Sequence, residues 1–313
     1  MEEVPVVDFA PFLSGDVSGK KHVAAAIGAA CEGIGFFYLT NHGVSGDTTN
    51  GILSASRQFF GLPLERRMDP ATLISAEHSR GYQPVGARFY PDTVAPDQME
   101  AFKFQRELPP DDPDIIAGDR IQQLNKWPHG LPGWRETLLD YFEAMEAVAA
   151  NLLRAFALAL DLEEDYFIGF YEKPLTQVSL LHYPPAPPTG GLYGNRPHFD
   201  ATAFTIVLQD SVPGLEVRTG TGRWVTAPPI EGSFVTNIGD YMGRWTNDRY
   251  RSTMHRVVNG SGAERYSIPY FAIPDFDAVI ECLPTCQGSD NPPKYEPLQV
   301  GPAIREKFSG DYA

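Results

Sequence analysis

His198-Phe199-Asp200 and His255 are the residues of this chain whose types and spacing suggest chemistry first. In an extended strand, residues i and i+2 project from one face, so the imidazole of His198 and the carboxylate of Asp200 would enter a common space. His255 lies in the run Met254-His255-Arg256-Val257-Val258, and a strand there can return beside the first in an antiparallel sheet. Two imidazoles and one carboxylate cover one face of an octahedral Fe(II) ion and leave three positions for substrates and O2. Zinc accepts the same donor set, although no His-Glu-x-x-His motif or other hydrolytic signature accompanies it. Short motifs also arise by chance. A surface His-Asp pair and a separate core histidine would produce the same letters.

Arg265-Tyr266-Ser267 follows His255 and again places two polar side chains on one strand face. The guanidinium offers a bidentate fork and the serine a hydroxyl, a pairing suited to a carboxylate end. A buried arginine requires an anionic partner, which a dicarboxylate cosubstrate would supply. Phe271 lies four residues beyond Ser267, so strand parity turns it towards the same interior as Arg265.

The elements that must hold these residues change character near Gln177. Before it, Val4–Phe9 reads as a strand, Val23, Ile27, Ala30 and Cys31 recur at helical spacing, and Gly35–Leu39 returns to strand character. A second helical run ends at Gly61-Leu62-Pro63, residues 64–130 resist assignment, and an apolar stripe from Leu138 to Phe156 predicts a long helix over about 133–162. After it, Val178–Tyr183 and six short runs as far as Ile273 are separated by turn signals. That pattern predicts an antiparallel sandwich or barrel. Asn259-Gly260-Ser261 reads as a hairpin turn rather than a glycosylation site, Gly190-Gly191 and Gly220-Thr221-Gly222 read as turns, and residues 300–308 as a closing helix. The expected organisation is a helical region over 1–176, with short strands packing on the core, and a β-rich core over 177–313, together one structural unit.

With these motifs in order, the chain resembles the isopenicillin N synthase-like family of Fe(II)/2-oxoglutarate-dependent oxygenases. Further segments carry the resemblance: Gly35-Phe36-Phe37-Tyr38-Leu39-Thr40-Asn41-His42-Gly43-Val44, Tyr183-Pro184-Pro185, Val212-Pro213-Gly214-Leu215-Glu216-Val217 and Asn237-Ile238-Gly239-Asp240. The resemblance implies a mostly β fold with helices, a distorted double-stranded β-helix or jelly roll flanked by helices. It implies that His198, Asp200 and His255 ligate Fe(II), and that Arg265 and Ser267 hold the distal carboxylate of 2-oxoglutarate with help from Tyr183. Where many plant members carry Asn two residues before that tyrosine, this chain has Leu181. The implied reaction consumes 2-oxoglutarate and O2, yields succinate and CO2, and oxidises a C–H bond of a small molecule by hydroxylation, desaturation or ring closure. A 2-oxoglutarate-independent iron oxidase of the same fold uses the same motifs, and a jelly-roll binding protein without catalysis is a third reading. Substrate contacts are expected from Phe271, Arg80, Tyr82, Lys103, Phe104 and Tyr241, the middle four belonging to the region that covers the barrel mouth in the family.

Composition narrows the partners. The 313 residues carry 25 Lys and Arg against 40 Asp and Glu, a formal charge of -15, which disfavours nucleic acid and anionic membrane surfaces. The N-terminus has no basic and apolar leader pattern, and the apolar stretch Ala144–Leu160 is broken by Glu146, Asn151 and Arg154. Three cysteines, Cys31, Cys282 and Cys286, form neither a disulfide framework nor a zinc knuckle. A cytoplasmic enzyme of specialised metabolism with a small-molecule substrate is the expectation; the sequence leaves the oligomeric state open.

Overall fold

Alternation of side chains along the strands builds two layers. The computed structural model describes residues 3–75, 78–87, 96–118, 121–185 and 193–311, with side chains as far as Lys307. Its strands are β1 (Val6–Asp8), β2 (Phe36–Thr40), β3 (Gly81–Gln83), β4 (Glu100–Gln105), β5 (Gln177–Tyr183), β6 (Asn195–His198), β7 (Phe204–Gln209), β8 (Leu215–Arg218), β9 (Trp224–Thr226), β10 (Ser233–Ile238), β11 (His255–Val257) and β12 (Arg265–Ala272). A large sheet runs β1-β2-β10-β7-β12-β5-β4-β3, and a small one β6-β11-β8-β9. All pairings are antiparallel except β1 with β2. A further pair, β13 (Val279–Ile280) and β14 (Leu298–Gln299), lies outside both.

Period-two parity sorts each strand of the large sheet between two cores. Phe36, Tyr38, Met99, Ala101, Leu181, Tyr183 and Val235 pack against Leu215, Val217 and Val257 of the small sheet. Their neighbours Phe37, Leu39, Phe102, Phe104, Val178 and Leu180 turn to the opposite face, into the larger core shared with the helices. The facing sheets make the jelly-roll core that the sequence implies, with helices on the outer face.

The helices are α1 (Ala10–Leu13), α2 (Val17–Glu32), α3 (Gly46–Phe60), α4 (Leu64–Arg67), α5 (Pro113–Ala117), α6 (Trp134–Ala159), α7 (Asp240–Trp245) and α8 (Val300–Asp311). Asp16 and Ser45 cap α2 and α3 by accepting from the Gly19 and Thr48 amides at 2.8 and 3.1 Å, which satisfies donors the helix leaves open. The 26-residue α6 buries Leu138, Tyr141, Phe142, Met145, Leu152 and Phe156 along one stripe. It packs on α2 and α3, and α3 touches β5 and β12.

Two expectations need correction. The strand carrying His198 stops there, so Asp200 stands in the following turn rather than on an i+2 strand position. Asn259 does not turn a hairpin, because β11 and β12 belong to different sheets. Its buried amide instead donates to the carbonyls of Tyr183, Pro184 and Ala263. The unassigned 64–130 stretch supplies β3 and β4, whose polar residues Glu100 and Gln105 are buried against partners far along the chain. Gly190-Gly191 lies outside the described residues.

Candidate active site

β6 and β11 are neighbours, and the register sets His198 directly opposite His255, with ring centroids 4.2 Å apart. Asp200 reaches them from the turn, its Oδ1 lying 3.6 Å from His198 Nε2 and 3.7 Å from His255 Nε2. One donor atom from each residue falls within 4.8 Å of the others, close enough for a single ion to replace the direct contacts.

The surroundings aim each donor. His198 Nδ1 donates to the Arg196 carbonyl at 2.7 Å, and His255 Nδ1 to the Thr253 carbonyl at 3.1 Å. With Nδ1 protonated, the Nε2 lone pairs of both rings are left for a metal. Asp200 Oδ2 accepts from Thr205 Oγ1 at 2.7 Å and from Asn237 Nδ2 at 2.9 Å, leaving Oδ1 towards the histidines. Burial alone would raise the Asp200 carboxyl. The charges of His255 and His198, with the Asn237 and Thr205 hydrogen bonds, outweigh it and hold the group well below the ordinary carboxylate value.

The turn bearing Asp200 is clamped by its backbone. The amides of Gly239, Asp240 and Tyr241 donate to the carbonyls of Ala203, Asp200 and Thr202 at 3.0, 2.8 and 2.9 Å. A Cβ at Gly239 would stand 2.3 Å from the Thr202 carbonyl oxygen. Only glycine permits so close an approach.

Two cavities meet at the triad. The first, of about 50 Å³, is lined by Arg265, Ser267 and Tyr183 together with His198, Asp200 and His255. Arg265 is wholly buried. Its Nε donates to the Val212 carbonyl at 3.2 Å and one terminal nitrogen to Gln209 Oε1 at 2.8 Å. Its guanidinium lies 4.9 Å from the centre of the Tyr183 ring, and Ser267 Oγ is 3.4 Å from the Tyr183 hydroxyl. The remaining Arg265 nitrogen, Nη1, is buried without a partner. A buried cation with an unused donor costs several kcal/mol unless an anion meets it, so a carboxylate fits this end.

The second cavity, of about 120 Å³, lies across the triad and is lined by Gln83, Lys103, Gln177, Ser179 and Lys307 besides His198, Asp200 and Phe271. Phe271 lines both cavities, as strand parity requires.

The six residues named for substrate contact divide accordingly. Lys103 and Phe271 border the second cavity. Arg80, Tyr82, Phe104 and Tyr241 are outside its lining, a correction made by parity and by packing. Tyr82 turns to the helical side and donates to Glu100, which also binds Arg67 and sits 2.7 Å from His182 Nδ1. Phe104 packs with Trp127 and Phe142. Arg80 is buried against Ser79, Gln105 and the Ile121 carbonyl. Tyr241 is buried in the large core on α7. Conversely, sequence reading gives no role to Thr205, Asn237, Gln83, Gln177 or Ser179. Gln177 and Ser179 share the parity of Tyr183 along β5, so the signal is present; the orienting bonds to Asp200 need the sheet register.

Comparison with known proteins agrees with this chemistry. Residues 4–130 match the model of the non-haem dioxygenase in morphine synthesis N-terminal region, and residues 174–274 that of the 2OG-Fe(II) oxygenase superfamily. The 2-oxoglutarate-Fe(II) type oxidoreductase hxnY of Emericella nidulans is 35% identical over 98% of this chain and 90% of its own length. Azadirone synthase LFS of Melia azedarach is 34% identical over 91% of this chain and 87% of its own. The crystal structure of a full-length Neurospora crassa protein in complex with alpha-KG superposes with a TM-score of 0.89 at 29% identity, covering 99% of this chain and 96% of that one. The complex of that Neurospora crassa protein with alpha-KG and thymine gives 0.88 at 29% identity, covering 99% and 97%. From the two-histidine, one-carboxylate cluster, the buried arginine facing it and these likenesses over nearly the whole length, the chain belongs to the 2OG-Fe(II) oxygenase superfamily and is a 2-oxoglutarate-dependent dioxygenase.

Proposed function

We propose that His198, Asp200 and His255 hold Fe(II), and that Arg265, Ser267 and Tyr183 receive the distal carboxylate of 2-oxoglutarate in the first cavity. The observation that carries this reading is Arg265, which is buried with its Nη1 unpartnered and lines a cavity shared with the triad. Iron with 2-oxoglutarate and O2 would supply the oxidising power, with succinate and CO2 as by-products. The chain's own residues do the rest. The Arg196 and Thr253 carbonyls fix the imidazole tautomers, and Thr205 and Asn237 orient Asp200. Phe271 borders both cavities, so a small-molecule substrate enters from the second one with a C–H bond turned to the metal face. Because β1–β4 are hydrogen-bonded into the same sheet as β5, β7, β10 and β12, residues 1–176 and 177–313 act as one structural unit. Among the described residues no helix is long and apolar enough to cross a membrane. The charge of -15 supports a small molecule rather than nucleic acid as substrate. The three cysteines are free thiols, the state that a reducing cytoplasm maintains.

Anaerobic addition of Fe(II) and then 2-oxoglutarate tests the assignment. A visible metal-to-ligand charge-transfer band is expected. Its absence, together with no succinate on admitting air, would overturn the reading.

A further inference from the structure

β6 is weakly constrained by its own sheet. It forms an edge, so β11 is its one neighbour there. Even that pairing is interrupted by a bulge: His198 faces His255 and Asn195 faces Val257, which sets four residues of β6 against three of β11. Pro197 adds a second gap, because it has no amide to donate. Bulges bend a strand and re-aim the side chains it carries, yet His198 must keep one orientation to present Nε2. Its Nδ1 donates to the Arg196 carbonyl at 2.7 Å, so whatever fixes Arg196 also fixes His198. Asp97 does this from outside the small sheet. Its Oδ1 accepts from the Arg196 amide, at the bulge, at 3.2 Å and from Arg196 Nε at 3.1 Å. The two side chains are only 4% and 15% exposed, so this charge-assisted grip is largely shielded from water. The Gln98 amide donates to the Tyr193 carbonyl at 2.9 Å, which lays residues 96–98 along the start of β6. His255 is held by a separate route. Its Nδ1 donates to the Thr253 carbonyl, and Thr253 Oγ1 donates to the Ile34 carbonyl at 2.8 Å.

We propose that Asp97 is a positioning residue for His198: by gripping the amide and guanidinium of Arg196, it fixes the carbonyl that orients this imidazole towards the metal. This rests on the reading of His198 as an Fe(II) ligand and adds a residue beyond it. Asp97 lines neither cavity. It acts through Arg196, and its influence falls on one of the two imidazoles.

Asp97→Ala tests this, with Asp97→Asn as the conservative variant that keeps an acceptor for Arg196. In an anaerobic Fe(II) titration, Asp97→Ala should weaken binding about tenfold, the lower end of the scale for a lost partner of a metal ligand. Asp97→Asn should recover most of that loss. At saturating Fe(II), the 2-oxoglutarate concentration giving half of the charge-transfer band should be unchanged, because Arg265 is untouched. Proton NMR of the protein loaded with Zn(II), which accepts the same donor set, separates positioning from general loosening. In Asp97→Ala the Nδ1 proton of His198 should exchange with solvent, while that of His255 stays protected. Unchanged Fe(II) affinity with both protons protected would overturn the proposal, and so would equal exposure of the two protons. If Asp97→Ala does not fold, Arg196→Met carries the test, since it removes the Nε bond and keeps the amide and carbonyl. Both protons remaining protected in that variant would overturn the proposal. If the wild-type protein binds neither Fe(II) nor Zn(II), it is the ligand reading that fails, and the proposal with it.

Discussion

At the residue scale, the site depends on single atoms being freed or occupied. Asp200 presents Oδ1 because Oδ2 is engaged by Thr205 and Asn237. Asp200→Ala should therefore abolish turnover; unimpaired turnover would refute the ligand assignment. Asn237→Ala removes one orienting bond and should weaken Fe(II) binding about 10–100-fold, the usual scale for a lost partner of a metal ligand. An Fe(II) titration giving an unchanged affinity would show that Thr205 and the backbone clamp suffice. Arg265→Ala should leave the triad in place but raise the 2-oxoglutarate concentration needed for half-maximal succinate formation. An unchanged value would place the cosubstrate elsewhere.

At the element scale, strand parity decides which neighbours serve the core and which the cavity. β4 is the clearest example. Glu100, Phe102 and Phe104 turn to the helices, whereas Ala101 lies on the face towards the small sheet, and Lys103 borders the second cavity. Phe102 meets Phe59 and Trp134 edge-on, with ring centroids 4.9 Å apart in each case. Truncation to alanine should cost about 3–5 kcal/mol in urea denaturation, as for other buried phenylalanines. Glu100 binds Arg67, Tyr82 and His182 on that same face. Burial would raise its carboxyl, but His182, Tyr82 and Arg67 together hold it below the ordinary value. A lowered folded-state pKa contributes stability above the unfolded value, and that contribution disappears as pH falls through the folded one. The stability difference between wild type and Glu100→Gln should thus be largest near neutrality and shrink below about pH 4, near the ordinary carboxylate pKa. A difference independent of pH would remove Glu100 from the account.

At the scale of the whole molecule, ligation couples residues far apart in sequence into one equilibrium. His198 and Asp200 precede β7, His255 follows α7, and Arg265 opens β12. Any ligand held only by the folded arrangement stabilises all of it. Saturating Fe(II) with 2-oxoglutarate, each at about 100 times its dissociation constant, should add about 2.7 kcal/mol per ligand, or about 5.4 kcal/mol together, read as a rise in Tm of several degrees. Chelation of the metal should reverse the rise, and Arg265→Ala should respond to Fe(II) but hardly to 2-oxoglutarate. A Tm indifferent to both ligands in wild type would contradict the coupling.

The residues that name the chemistry are legible without coordinates, because two histidines, an aspartate and the Arg-x-Ser pair lie within short motifs whose types dictate what they can bind. The element outline is legible too. α6 differs from its expected span by only a few residues, since helical periodicity is a local property. Tertiary structure alone decided the rest, because it depends on pairing between distant strands. Register places His198 opposite His255, brings Thr205 and Asn237 to Asp200, and lets a turn, rather than a strand position, deliver the carboxylate. It also separates Lys103 from Phe104, adjacent in the chain yet on opposite faces of β4, and turns the mixed polar and apolar run of 100–105 into a largely buried strand. Sequence specifies which groups can act; the sheet's register determines which of them share a space.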